Sequence, residues 1–175
     1  MKLCMFSPIE MGLERGWPGR LDGENVIQLA AQTLQAFFTG GGQAREHAVY
    51  PLAEVVFRAP VLHPPSVRIF EGEDFRFANP AAIVAADAEI PVAAATPVER
   101  TAAIIGLDGA IDGFTPLVEW TAPDLHGEKS RDFALALGPV VTTADEGAPG
   151  GLDWERLVSH AAQNTRLYPG DVIAA

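Results

Sequence analysis

The sequence predicts a β-rich α+β fold, and two features carry that expectation. From Phe75 onward the chain is built of short apolar or alternating runs broken by Pro, Gly and Asp, the pattern of short strands joined by turns. Only two stretches carry helical spacing, too few for the regular strand–helix alternation of a doubly wound sheet.

Met1 to Phe6 alternates weakly and precedes Gly12, Gly16, Pro18, Gly19 and Gly23, so short strands separated by turns are expected there. Asn25 can cap a helix beginning at Val26, because Val26, Leu29, Ala30, Leu34, Phe37 and Phe38 recur at helical spacing. Gly40-Gly41-Gly42 ends that helix. With no Gly-Lys-Ser/Thr after it and no strand before it, the triple glycine reads as a C-cap and loop, not a phosphate cradle. Residues 52–60 read as a strand. Pro60, Pro64 and Pro65 then mark a boundary between a small N-terminal domain, 1–61, and a main body, 62–175. Candidate strands in the body are 75–77, 99–105, 113–120, 140–142 and 171–174. The second helix is expected over 153–163, with Leu157, Val158 and Ala161 on one face.

The chain has 175 residues, with 23 Asp and Glu against 12 Lys and Arg, a formal net charge of −11. So acidic a surface repels phosphate backbones and anionic lipid, which excludes nucleic acid and membrane as expected partners. Lys129 with Arg131 is the one basic cluster, too small to reverse that field. Cys4 is the single cysteine, so neither an intrachain disulfide nor a cysteine zinc cluster can form. The apolar run Leu3-Cys4-Met5-Phe6 is too short for a signal peptide. The apolar tract 81–95 carries Asp87, Glu89 and Pro91 and does not read as a membrane span. A reduced, cytoplasmic protein is the expectation.

Few residues form a recognisable constellation for catalysis. No two of His47, His63, His126 and His160 are spaced as a helical ligand pair, and no Gly-x-Ser-x-Gly elbow surrounds any serine. Glu99 precedes Gly106 on one strand and Glu119 follows Gly113 on the next. Neighbouring strands can bring two acids to one face, where they would hold a hard cation or share a proton; solvated strand-end acids are the plainer alternative.

The order of several short segments is more telling. Gly113-Phe114-Thr115-Pro116-Leu117-Val118-Glu119 is followed by Lys129-Ser130-Arg131-Asp132-Phe133, by Leu137-Gly138-Pro139-Val140-Val141-Thr142-Thr143-Ala144-Asp145-Glu146, and by Tyr168-Pro169-Gly170-Asp171-Val172-Ile173. This succession resembles the fumarylacetoacetate hydrolase family, with its G-Y-T-x-x-N-D strand, K-S-x-D loop, G-P-x-x-V-T-x-D-E segment and P-G-D-V-I ending. Ala59-Pro60-Val61, Pro65-Ser66-Val67-Arg68 and the run from Phe75 to Ile83 resemble its earlier segments. The resemblance implies a mixed β-roll behind a small N-terminal domain, a homodimer, and Mg²⁺ or Mn²⁺ held by two Glu and one Asp. The metal would grip the oxygens of a 2-oxo or dicarbonyl acid and stabilise the enolate formed on C–C cleavage.

Carried over residue by residue, that implied site is incomplete. The family's E-x-E-x-x-x-x-I-G pattern places Val98 and Arg100 where its two glutamates stand; Glu99 lies between them on the other face unless a β-bulge turns it inward. Glu119 matches the metal-binding aspartate and Lys129 the family lysine. Pro123 replaces an arginine between Thr121, Ala122 and Asp124, which keep the pattern. No histidine follows Phe70 to activate water, and the chain stops at Ala175 before the family's next segment, so the roll is expected to be truncated. The resemblance therefore implies Lys129 and Glu119 as catalytic candidates, Arg100, Thr121 and Asp124 as contacts to a small anionic metabolite, no metal ligand set and no cofactor. Arg100 is expected to pair with Glu119 where the metal would sit. Two functions stay open: a non-catalytic binder of 2-oxo acids with a degraded metal site, or an active hydrolase, decarboxylase or isomerase of such acids.

Overall fold

A computed structural model describes residues 1–175. The chain folds as β1 (Lys2–Pro8), β2 (Trp17–Asp22), β3 (Asn25–Leu29), α1 (Leu34–Thr39), β4 (Glu46–Pro51), β5 (Val55–Arg58), β6 (Val67–Glu71), β7 (Asp74–Ala78), β8 (Ile83–Ala85), β9 (Thr96–Ile105), β10 (Ile111–Thr121), β11 (Leu135–Leu137), β12 (Val140–Thr143), α2 (Trp154–Ala161) and β13 (Val172–Ala174). The strands form one mixed sheet in the order β4-β3-β2-β1-β12-β10-β9-β13-β6-β7, with β5 on β1, and β11 bridging β10 and β8. The pairs β11–β8 and β13–β6 are parallel and the rest antiparallel. No helix is long and apolar enough to cross a membrane.

The sheet is covered on both faces, so its central strands are apolar at successive positions and not alternating. Along β9, Ala102 and Ile104 enter the main core with Leu3, Met5, Leu117 and Leu137, while Ala103 and Ile105 enter a second cluster with Phe70 and Phe114. That second cluster is closed by α2, whose Trp154, Leu157 and Ala161 face the sheet. Asp153 caps α2 by accepting from the Arg156 N–H. A third cluster forms on the outer face of β1, where Cys4 and Phe6 meet Val26 and Val55.

One expected helix is corrected. The stretch from Val26 is strand until Leu29, and the helix begins only at Leu34, capped by the Thr33 hydroxyl accepting from the Ala36 N–H. Val26 and Leu29 satisfied a helical spacing by coincidence. β-Branched Val26 and Ile27 stay in the sheet because β2 and β4 pair with them on both sides. The expected strand over 52–60 is likewise shorter: a 3-10 turn at Leu52–Glu54 precedes Val55–Arg58.

Candidate functional site: an arginine cluster on two carboxylates

Cross-strand partners share a side of a sheet. In the β9–β10 register Arg100 opposes Leu117 and Val98 opposes Glu119, so these four continue the core face outward beyond Ala102. Glu99 opposes Val118 and points the other way. The one irregularity in this pairing lies between Ile111 and Gly113, too far along to turn Glu99 inward.

Glu119 is buried, 2% exposed, and both its oxygens are taken by guanidinium groups. Arg100 donates to Oε2 from Nη2 at 3.0 Å and from Nε at 3.2 Å; Arg76 donates to Oε1. Arg76 arrives from β7, where it opposes Ile69 of β6 and so shares the core face. Its Nε also donates to Glu71 Oε1 at 2.9 Å. β13 lies between β9 and β6 and pairs Ala174 with both Ala102 and Ile69. Two residues further along each neighbour stand Arg100 and Glu71, whose side chains come together past that pairing at 3.9 Å, with Arg100 Nη1 also donating to the Phe70 carbonyl at 3.3 Å. Arg131 completes the group by donating to Glu71 Oε1 at 3.1 Å. The Arg76 hydrogen bond, with the charges of Arg131 and Arg100 behind it, holds the Glu71 carboxyl below the usual carboxylate range.

Three guanidinium groups thus face two carboxylates, one net positive charge in a chain whose own charge is −11. The cluster is graded in depth: Glu119 at the bottom is 2% exposed on its side chain, Glu71 at the top 50%. At about 4 Å and an effective dielectric of ~20, each unit-charge contact amounts to roughly 4 kcal/mol before desolvation is subtracted. Only the deep pairs, shielded from water, keep a sizeable part of that.

Of the sequence-expected residues, Arg100 and Glu119 meet as neighbours. Lys129 does not join them: its side chain is 80% exposed and its ammonium pairs with Asp132 at 2.7 Å. Thr121 bonds across the strands to the Thr96 hydroxyl at 2.7 Å, and Asp124 lies exposed in the following loop. Glu71 and Arg76 carry no site signal in the sequence, and Arg131 stands out there only as half of the small basic cluster with Lys129. The local signal for Arg76 was its place between Phe75 and Phe77 on a strand entered by a tight turn, which sends it to the face opposite the two rings. Nothing local connects it to an acid 43 positions away. A cleft of about 250 Å³ has Arg100, Thr101, Phe114, Pro116 and Thr142 in its lining. Thr101, Phe114 and Pro116 alternate with Arg100 and Leu117, so it opens mainly on the other face of the sheet.

Val98, Arg100 and Glu119, which the resemblance sets against metal ligands, carry an isopropyl group, a guanidinium and one carboxylate already taken up by two arginines. Divalent cations need several free oxygens, and no group of three Asp, Glu, His or Cys side chains is arranged to hold a metal ion. The donor set does not fit Mg²⁺ or Mn²⁺.

A roll of one mixed sheet, closed by a helix and carrying charged side chains at the ends of its long central strands, defines the architecture in which the comparisons place this chain. It is similar to maleylpyruvate hydrolase from Sphingobium sp. SYK-6, with a TM-score of 0.75 and 19% identity over 99% of this chain and 87% of that one. It is similar to 2-hydroxyhepta-2,4-diene-1,7-dioate isomerase from Mycobacterium marinum, with a TM-score of 0.72 and 16% identity over 99% and 86%. A third similar structure is 2-keto-3-deoxy-D-arabinonate dehydratase complexed with magnesium and 2,5-dioxopentanoate, with a TM-score of 0.69 and 16% identity over 99% and 86%. All three are enzymes of the fumarylacetoacetate hydrolase family, and this chain has their fold. No protein-family model matches the sequence, and no curated protein matches it in sequence.

Proposed function

We propose that the chain binds a small anionic 2-oxo or dicarbonyl acid on the arginine cluster without a divalent metal, as a non-catalytic relative of these enzymes with a degraded metal site. The observation that carries this reading is the double guanidinium cap on Glu119, with Arg131 adding the third cation over Glu71. Arginine offers a planar fork of N–H donors suited to a carboxylate. The similar hydrolase was also solved with manganese(II) and pyruvate, and the dehydratase with magnesium and 2,5-dioxopentanoate, which supports oxo acids as the ligand class. A guanidinium balances a carboxylate but offers no open coordination site for a developing enolate, so binding without efficient C–C cleavage is the expected behaviour. The same reading takes the protein as a cytoplasmic homodimer with residues 1–61 as a small N-terminal domain that shares its sheet and core with the body, in keeping with the family resemblance.

Calorimetry with pyruvate and oxaloacetate tests it. Binding in EDTA, unchanged by added Mn²⁺ and lost in Arg100→Ala, is expected. One tightly held Mn²⁺ per chain would overturn the metal-free part.

A second reading, an enzyme of 2-oxo acids, is favoured by Lys129 standing in a Lys-Ser-x-Asp segment that also delivers Arg131 to the cluster. Metal-independent turnover of oxaloacetate, abolished by Lys129→Met, would establish it in place of the first.

A further inference from the structure

We infer that Glu71 is a built-in carboxylate that occupies the arginine site in the free protein and is displaced when an acid ligand binds. The inference rests on the proposed binding of oxo acids to this cluster. The two acids of the cluster differ in kind. Glu119 is 2% exposed on its side chain, sits on the long central strand β10, and has both oxygens bonded. Its exchange for a ligand would open the core. Glu71 is 50% exposed and is the last residue of β6, where the chain turns through Gly72 into β7. It gathers its guanidinium contacts on one oxygen: Oε1 lies 2.9 Å from Arg76 Nε, 3.1 Å from Arg131 Nη1 and 3.9 Å from Arg100 Nη2.

One oxygen of a half-exposed carboxylate side chain, set among three guanidinium groups, has the geometry of a bound acid, and water reaches that side chain. Exposed pairs of this kind hold weakly, so a ligand carboxylate can take the place at small cost. On displacement the Glu71 side chain swings into solvent about its own rotatable bonds, and no backbone has to move. Glu119 stays in place and keeps Arg76 and Arg100 oriented toward the vacated position. Glu71 therefore sets the affinity: it keeps the guanidinium groups from repelling one another in the free protein, and it charges each acid ligand the cost of its removal.

Calorimetric titration of pyruvate into the native protein, Glu71→Gln and Glu71→Ala decides the matter, with circular dichroism to establish that each variant is folded. Both variants are expected to bind pyruvate about two- to fivefold more tightly than the native chain, the range that loss of an exposed competing charge allows. Native binding with equal or weaker binding in both folded variants would overturn the inference, leaving Glu71 as a support for the arginines, and would leave the oxo-acid reading intact. Absence of pyruvate binding by all three proteins would overturn that reading and this inference with it.

Discussion

Glu119 is a carboxylate with two guanidinium partners and almost no water, and its energetics follow from that asymmetry. Glu119→Ala leaves Arg76 and Arg100 facing each other at the bottom of the cluster, so a loss of ~3–5 kcal/mol is expected. Arg100→Ala costs less, because Arg76 still neutralises the acid. A double-mutant cycle by thermal or urea unfolding should return a coupling above about 0.5 kcal/mol; strict additivity would rule out the contact. Asp112 is a different case. At the irregular pairing between Ile111 and Gly113 its carboxyl folds over Gly106, with Oδ2 buried and without a partner. Burial pushes it up from 3.8 to about 6. A raised carboxylate favours the protonated fold, so the stabilising contribution is complete below pH 3.8 and disappears as pH rises through about 6. Asp112→Asn, a neutral mimic, is expected to gain about 1 kcal/mol at pH 8 after allowance for solvent screening, near 2–4 °C in Tm, and almost nothing at pH 4. An unchanged Tm at pH 8 would show that the carboxyl carries no penalty there.

At the level of elements, the short helix α1 depends on its cap more than a longer helix would. It has six residues, too few to be stable by propagation alone, and it is held by Leu34 and Phe37 in the core and by the Thr33 hydroxyl on the Ala36 N–H. Thr33→Ala is expected to cost about 1 kcal/mol in chemical denaturation, with Thr33→Ser close to native. Equal stability of all three proteins would mean that core packing alone holds the helix. The β6–β7 hairpin has the matching role at the site. Gly72 takes φ 77°, a conformation glycine adopts without strain, and the tight turn puts Arg76 opposite Ile69 and Glu71 at the mouth of the cluster.

Across the whole molecule, β13 joins the long β9–β10 pair to the β6–β7 hairpin, and a buried carboxylate anchors it. Asp171, 1% exposed, accepts from Ser66 Oγ at 2.6 Å and from the Tyr168 N–H at 2.7 Å, and faces Arg68 at 3.7 Å. Arg68 is itself buried, its guanidinium lying 5.2 Å from the centre of the Phe77 ring. Asp171→Ala leaves that charge without an acid, so a loss of ~3–5 kcal/mol and a weakened arginine cluster are expected together. A stable variant with native pyruvate binding would show that the sheet holds β13 without the anchor. Cys4 needs no such test as a nucleophile: burial pushes its thiol up to about 12, which leaves no thiolate at neutral pH.

Much of this was legible in the residues. The β-rich class, the long strands ending near Ile105 and starting near Gly113, the helix α2 and the common face of Val98 and Arg100 follow from local rules, because period-two alternation, helical spacing and turn residues act within a few positions of themselves. The meeting of Arg100 with Glu119 was implied by the family resemblance alone, since the register that joins them runs between two strands. The boundary between β3 and α1 did not follow, because the strands β2 and β4 that hold Val26 and Ile27 in the sheet come from outside that window. The rest of the site was illegible for the same reason. Arg76, Arg131 and Glu71 are ordinary charged residues in sequence. They become a cluster only because β13 places β6 beside β9, the hairpin turns Arg76 to the core face, and the loop after Lys129 brings Arg131 across to Glu71. Alternation along a strand is set by local covalent geometry, so a sequence carries it. Which charges share one low-dielectric space depends on strand order, and only the assembled sheet decides that.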